Sequence, residues 1–111
     1  MSNGGVLPLQ SLVTTDVQAD FDALPTDDLR REAAGYLLRL KRQPFLGLPL
    51  ENLPSTGDLS DCRKVYFDEA RYRIVYRLLP DEIHPEHVEV IAIGPRQHGA
   101  VYQAALGRLG R

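Results

Sequence analysis

Arginine side chains that could bind phosphate together are concentrated in one segment of this chain. Arg71, Arg73 and Arg77 alternate with apolar residues along 71–79, so they share one side if this segment is an extended strand. Guanidinium groups bind phosphate oxygens in a bidentate manner, and a row of them on an open sheet surface would suit an anion. A solvated outer face of an antiparallel sheet explains the same row.

Further candidates lie on either side of this segment. Lys64 and Tyr66 are two residues apart on the preceding strand, whereas Arg96, His98 and Tyr102 follow the next strand. Cleavage of RNA through its 2′-hydroxyl needs a base for the hydroxyl proton, cations for the charge on the phosphorane and an acid for the 5′-oxygen. An aromatic ring could hold a splayed base. Each of these residues also has an ordinary structural explanation, and only their convergence on one surface indicates a site.

The elements of the first half are a short strand and a long helix. Residues 12–17 are rich in β-branched side chains and predict a strand. Thr26 is a suitable N-cap for a helix that ends before Pro44. The apolar residues of that helix recur at helical spacing and form one stripe, consisting of Leu29, Ala33, Tyr36, Leu37 and Leu40.

The second half predicts three consecutive strands and a closing helix. Residues 44–60 form a long connection whose leucines, Leu46, Leu48, Leu50 and Leu53, should pack onto the body of the domain. Strands follow over 63–67, 72–79 and 88–93, and a short C-terminal helix over 98–109. Short turns between strands imply an antiparallel meander. The predicted fold is therefore a two-layer α+β domain over 1–111, with the long helix on one sheet face, the arginine row on the other, and 1–11 as a loose lead-in.

Composition excludes several classes of protein. The 111 residues carry a net charge of −2, and neither half is strongly basic, as binding of bare nucleic acid by charge alone would require. Cys62 is the single cysteine, so an internal disulfide is impossible, and the N-terminus lacks the features of a secretion signal. No apolar run is long enough to span a membrane. We expect a cytoplasmic protein with no metal and no other cofactor, since His84 and His87 lack further ligands at motif spacing.

Residues 59–102 resemble the toxins of type II toxin–antitoxin pairs of the RelE/ParE superfamily. The stretches that carry the resemblance occur in the family's order and spacing, and they are residues 59–65, 71–76, 88–96 and 101–102. Residues 40–44 and 47–50 also look like the family's connection between helices and sheet. The resemblance implies a RelE-like fold, in which helices pack on a small antiparallel sheet.

The resemblance is greatest to the RelE branch, whose members cut messenger RNA in the ribosomal A site without a metal. It implies that Lys64 stabilises the transition state or acts as base, that Arg73 and Arg96 hold the phosphate, and that Tyr102 stacks on a base or transfers a proton. Tyr66 stands where that branch has a second lysine, a clear departure. His98 could offset the loss as general acid. Tyr66 is then expected to bind RNA, as are Arg71 and Arg77.

The resemblance also implies partners: a cognate antitoxin, mRNA on the ribosome, and operator DNA only through the antitoxin. An mRNA endoribonuclease is the leading hypothesis. Two alternatives remain open at this point. One is a ParE-like inhibitor that blocks DNA gyrase by binding, without catalysis. The other is a degenerate protein that only binds an antitoxin.

Overall fold

Helices cover both faces of a five-stranded sheet. The computed structural model describes residues 8–53 and 57–111, and it describes Asn52 and Leu53 by their backbone alone. The elements in chain order are β1 (Gln10–Leu12), α1 (Thr15–Asp22), α2 (Asp27–Leu40), β2 (Leu48–Pro49), β3 (Asn52–Leu53), β4 (Gly57–Asp58), β5 (Cys62–Phe67), β6 (Tyr72–Leu79), β7 (His87–Pro95) and α3 (Ala100–Leu109), with a 3₁₀ turn over Gln97–Gly99.

The main sheet has the order β1-β7-β6-β5-β2, and β3 and β4 form a separate two-stranded sheet. Strands β5, β6 and β7 pair as an antiparallel meander, whereas β1 lies parallel to β7. One face of the sheet packs against α1 and α2, and the other packs against α3. The predicted α+β class and antiparallel meander are confirmed.

Helix α2 forms where the capping and spacing signals predict it. The Thr26 hydroxyl accepts a hydrogen bond from the Leu29 amide at 3.1 Å, which satisfies one of the free N–H groups of the first turn. Leu29, Ala33 and Leu40 are buried against the sheet, and the helix ends at Leu40, before Pro44. The apolar stripe of α2 therefore packs against the sheet, as the sequence predicts.

The prediction for the N-terminal region is wrong in detail. The strand covers Gln10–Leu12 rather than residues 12–17, because Thr14 caps α1 by accepting a hydrogen bond from the Val17 amide. Threonine favours both strands and N-caps, so local propensity does not decide between them. Part of the expected lead-in, residues 1–7, lies outside the described residues. Gln10 and Ser11 of the same segment pair with β7.

The connection after α2 is fixed by Tyr76 of β6. The Tyr76 hydroxyl donates to the carbonyl of Pro44 at 2.7 Å and accepts from the amide of Gly47 at 2.9 Å. A Cβ atom at Gly47 would lie 2.7 Å from the Tyr76 ring and 2.8 Å from the Lys64 carbonyl oxygen, so only glycine fits there.

The leucines of this connection do not all pack as expected. Leu50 is buried, but Leu46 and Leu48 are 37% and 55% exposed. The side chain of Leu53 lies outside the described part of the chain. Leu48 pairs through its backbone with β5, so the connection is held by strand pairing as well as by leucine packing.

Strand β6 places its residues on two covered faces. Ile74, Tyr76 and Leu78 face α1 and α2, as the alternation predicts. Val75 packs under α3 against Val101 and neighbouring residues. The expectation of an open outer face over β6 is therefore wrong, because α3 covers a large part of it.

Two ion pairs hold the C-terminal end of α3 in place. Arg108 donates to both carboxylate oxygens of Asp20 at 2.6 and 2.9 Å, and Asp20 also accepts the Ile93 amide at 3.0 Å. Arg111 donates to both oxygens of Asp61 at 2.5 and 2.9 Å. The hydrogen bond from Arg111 lowers the pKa of Asp61 to about 2. Helix α3 is thus tied to α1 and to the residue that precedes β5.

We predict that Asp20→Ala lowers the free energy of unfolding by about 2 kcal/mol, because it leaves the Arg108 guanidinium and the Ile93 amide without their charged acceptor. Urea denaturation of the purified protein measures this difference. Asp22→Ala is the matched control: Asp22 accepts only an exposed bond from Gln18, so the loss should stay below about 0.5 kcal/mol. Equal losses in the two variants would contradict the role of Asp20.

Candidate functional site

Two tyrosine rings enclose the guanidinium group of Arg73 where β5, β6 and α3 meet. Tyr66 stands directly opposite Arg73 in the pairing of β5 with β6. The Arg73 Cζ atom lies 4.2 Å from the centroid of the Tyr66 ring and 5.8 Å from that of Tyr102. Arg73 Nη1 donates a hydrogen bond to the Tyr102 hydroxyl at 2.5 Å. The guanidinium is held by stacking and by one hydrogen bond, a preorganised arrangement.

Arg73 is a buried cation without an acidic partner in the described residues. The residue is only 8% exposed, and its Nε atom is buried with no hydrogen-bond partner in this part of the chain. No carboxylate of the described ranges lies within salt-bridge distance of its guanidinium. A buried charge without a counter-ion is costly, so this group favours binding of an anion.

Lys64 lies next to the same ring, and the charge of Arg96 also acts on its phenol. The Lys64 Nζ atom is 5.2 Å from the centroid of Tyr66. The Lys64 ammonium beside the phenol lowers the pKa of Tyr66, partial burial opposes this shift, and the charges of Arg73 and Arg96 add to the lowering. Cations from β5 and β6 therefore lie against the Tyr66 ring, and Arg96, in the turn after β7, is near enough for its charge to act on the phenol.

The two tyrosines differ in what they can offer a ligand. Tyr102 is only 7% exposed and packs with α3 onto the sheet, and its hydroxyl is engaged by Arg73. Tyr66 is 37% exposed. The ring available for stacking on a base is therefore that of Tyr66, whereas Tyr102 positions Arg73.

A cleft of about 900 Å³ adjoins this cluster. Arg96, His98 and Tyr102 line it, together with Arg71 and Gln103. His98 is exposed and has a left-handed backbone conformation with a φ of 57°, which is uncommon for residues other than glycine. The cleft meets the cations around Tyr66 through Arg96 and Tyr102, so His98 belongs to the same surface.

Arg71 and Arg77 do not join this cluster. Arg71 lies in the turn before β6, and it donates to both carboxylate oxygens of Asp68 at 3.1 Å. Arg77 pairs with Glu89, its register partner on β7, and its guanidinium is also 3.5 Å from Asp61. The expected row of three free arginines is therefore wrong. The alternation of side chains along a strand predicts which arginines share a sheet face. It does not predict which of them form ion pairs, because that depends on acidic residues nearby in the fold.

Ion pairing separates the basic residues of the whole chain into two classes. The chain has 13 lysines and arginines, all within the described ranges. Seven arginines form ion pairs, namely Arg30, Arg31, Arg63, Arg71, Arg77, Arg108 and Arg111. The other six have no carboxylate within salt-bridge distance there, and they are Arg39, Lys41, Arg42, Lys64, Arg73 and Arg96. Three lie at the end of α2, and three surround Tyr66.

The other two histidines lie between β6 and the start of β7. His84 is exposed in the turn between β6 and β7, and His87 begins β7. Within the described ranges, no three His, Cys, Asp or Glu side chains are grouped so as to hold a metal ion. None of the helices described is both long and apolar enough to cross a membrane.

Comparison with known proteins gives a match at the level of structure. Neither a scan against protein-family models nor a search of curated proteins finds a match. A mutant of the E. coli toxin RelE in the free state is similar with a TM-score of 0.67 and 20% identity, over 94% of this chain and 99% of that one.

Two structures of complexes are similar as well. The toxin–antitoxin complex RelBE2 from Mycobacterium tuberculosis gives a TM-score of 0.62 at 22% identity, over 82% of this chain and 94% of the matched chain. The same mutant of E. coli RelE in complex with a peptide of the antitoxin RelB gives a TM-score of 0.63 at 20% identity, over 89% of this chain and 95% of the matched chain. Because all these identities are below 25%, the comparison establishes the fold. The chain has the fold of the RelE toxins.

Proposed function

We propose that this chain is the toxin of a toxin–antitoxin pair and acts as an endoribonuclease on mRNA bound to the ribosome. The observation that carries the proposal is the convergence of Lys64, Arg73 and Arg96 on Tyr66, next to a cleft. Arg73 in particular is a buried, stacked cation without an acidic partner in the described residues. The similarity to RelE structures supports the proposal through the fold.

These residues can supply the charge stabilisation that RNA cleavage requires. As the 2′-oxygen attacks the phosphorus atom, negative charge grows on the phosphorane oxygens. Cations already fixed in position stabilise that charge without reorganisation, and loss of one such group typically costs 10²- to 10³-fold in rate. Arg73 and Arg96 bind these oxygens, and Lys64 stabilises the same charge from β5.

The Tyr66 ring and the adjoining cleft provide places for the rest of the substrate. The exposed ring of Tyr66 stacks on a base beside the scissile phosphate, and such stacking contributes about 1–3 kcal/mol per base. His98 on the cleft wall is the acid that protonates the departing 5′-oxygen, because an imidazolium can donate a proton from either ring nitrogen. Arg71 and Arg77 contribute little to RNA binding, because Asp68 and Glu89 already neutralise them.

A second surface fits the antitoxin. An apolar groove of about 440 Å³ runs between α1 and α2 and includes Phe21, Leu37 and Leu38, the last of which is 67% exposed. Arg39, Lys41 and Arg42 at the end of α2 have no carboxylate partner in the described residues, so they favour an acidic segment there. We therefore expect the antitoxin to bury apolar side chains in this groove and to place acidic ones near the end of α2.

We predict that induced expression of this chain arrests growth and that the purified protein cleaves mRNA on ribosomes. Arg96→Ala should lower the cleavage rate by about 10²- to 10³-fold, and Tyr102→Phe by about tenfold, since the hydroxyl that positions Arg73 is lost. Single-turnover cleavage of a ribosome-bound message measures both effects.

Arg31→Ala is the control for this experiment, because Arg31 is an exposed arginine paired only with Asp28. It should cleave at the parental rate. Equal cleavage by Arg96→Ala and the parent would contradict the assignment. Inhibition of DNA supercoiling by gyrase, without any RNA cleavage, would instead support the ParE-like alternative.

The burial of the Arg73 guanidinium lowers the stability of the folded protein. Burial of a guanidinium without a carboxylate partner carries a desolvation penalty of several kcal/mol, which the two tyrosine rings and one hydrogen bond offset only in part. Functional sites commonly reduce stability in this way. Removing the charge should relieve the penalty.

We therefore predict that Arg73→Met abolishes cleavage and raises the free energy of unfolding by about 1 kcal/mol. Urea denaturation measures the change. In the control Arg77→Met, loss of the pairs with Glu89 and Asp61 should destabilise the protein by about 1–2 kcal/mol. If Arg73→Met destabilised the protein as much as Arg77→Met, Arg73 would be a structural residue rather than an anion-binding one.

A further inference from the structure

The hydroxyl groups of the tyrosines near the site are in different situations. The Tyr102 hydroxyl accepts a hydrogen bond from Arg73, and Tyr102 itself is buried. The Tyr76 hydroxyl is bound on the opposite side of the sheet by Pro44 and Gly47. Tyr66 is partly exposed, and its phenol lies beside the Lys64 ammonium. A substrate can therefore reach the Tyr66 hydroxyl more easily than the other two.

We propose that Tyr66, as its phenolate, is the general base that removes the 2′-hydroxyl proton in the cleavage reaction. This inference rests on the proposed function and adds a specific catalytic residue to it. The branch that the chain resembles has a lysine at this position, so the mechanism would be particular to this chain.

The groups that face Tyr66 favour its anionic form. Lys64 from β5, Arg73 from β6 and Arg96 after β7 are all cationic, and together they lower the pKa of the phenol against the opposing effect of partial burial. A phosphodiester brings one negative charge, so three cations still leave a net positive field around the ring. Tyr102, the group from α3, is engaged with Arg73.

The charged and phenolic side chains that face Tyr66 are poorly suited to accept the proton. An arginine has no acceptor atom, and neither has a lysine in its ammonium form. The Tyr102 hydroxyl is buried. His98 lines the cleft, where it can act as the acid that protonates the departing 5′-oxygen. Tyr66 alone among these side chains combines exposure with close cations that stabilise its deprotonated form.

The proposed step is balanced in atoms and charge. The Tyr66 phenolate takes the proton from the 2′-hydroxyl as the 2′-oxygen forms a bond to phosphorus. The bond from phosphorus to the 5′-oxygen breaks, and this oxygen takes a proton from the His98 imidazolium. The products are a 2′,3′-cyclic phosphate and a 5′-hydroxyl end, with no water consumed. Proton exchange with solvent restores both residues.

The test combines cleavage kinetics with a titration that does not depend on cleavage. The substrate carries sulfur in place of the 5′-oxygen, a leaving group that needs no general acid, so only the base limits the pH profile. On this substrate we expect the single-turnover rate of the parent protein to rise with pH up to the pKa of Tyr66. Tyr66→Phe keeps the ring but should lose about 10²-fold or more in rate, together with this rise. Tyr66→His should regain activity with the rise moved toward pH 6.5, the ordinary range of an imidazole. Tyr36→Phe, which removes a phenol hydroxyl on α2, should match the parent.

Absorbance of tyrosinate at alkaline pH gives the independent readout. The difference between the titrations of the parent and of Tyr66→Phe isolates Tyr66, and we expect its midpoint below the ordinary value of about 10. Lys64→Met should move that midpoint upward. A midpoint for Tyr66 at or above 10 would overturn the proposal.

The outcomes separate this proposal from the function on which it rests. If the parent cleaves RNA and Tyr66→Phe does so with the same rate and pH profile, Tyr66 is not the base, and the endoribonuclease assignment stands. If the parent does not cleave at any pH, the proposed function fails and the catalytic role of Tyr66 fails with it, even where its titration midpoint is low.

Discussion

The guanidinium of Arg73 lies almost entirely out of water, and in the described residues no carboxylate pairs with it. A protein that needed this position only for packing would do better with an apolar side chain of similar volume. The ring of Tyr66 on one side and the Tyr102 hydroxyl on the other hold the charge in one orientation. Helix α3 places the Tyr102 hydroxyl beside this group. Lys64 and Arg96, which have no carboxylate partner in the described residues, add positive charge near Tyr66.

Helix α3 connects the fold to the site. It covers the second face of the sheet, buries Tyr102 beside Arg73 and is tied down at its far end by Arg108 and Arg111. The same ion pairing also explains how a chain with a net charge of −2 can present a cationic site. Most of its arginines are neutralised locally, so the cations that have no carboxylate partner in the described residues are confined to two places.

The sequence predicted what depends on local signals. The capped helix α2 and the meander follow from spacing and turn residues, and the fold class is confirmed. The candidate set of Lys64, Arg73, Arg96 and Tyr102, which rests on spacing and a family resemblance, stays a prediction. The sequence could not predict that Glu89 stands opposite Arg77, because cross-strand register depends on a bulge at Ile91. Nor could it predict whether Thr14 extends a strand or caps a helix, since both suit threonine.

We propose that the buried guanidinium of Arg73 binds a phosphate group of the RNA. NMR of the arginine side chains tests this binding most directly. A short RNA with a single 2′-deoxy sugar at the cleavage position would bind without being cut. We expect the Nε–H signal of Arg73 to shift on saturation, while that of Arg77, already paired with Glu89, stays unchanged. An unchanged Arg73 signal at saturating RNA would contradict this proposal.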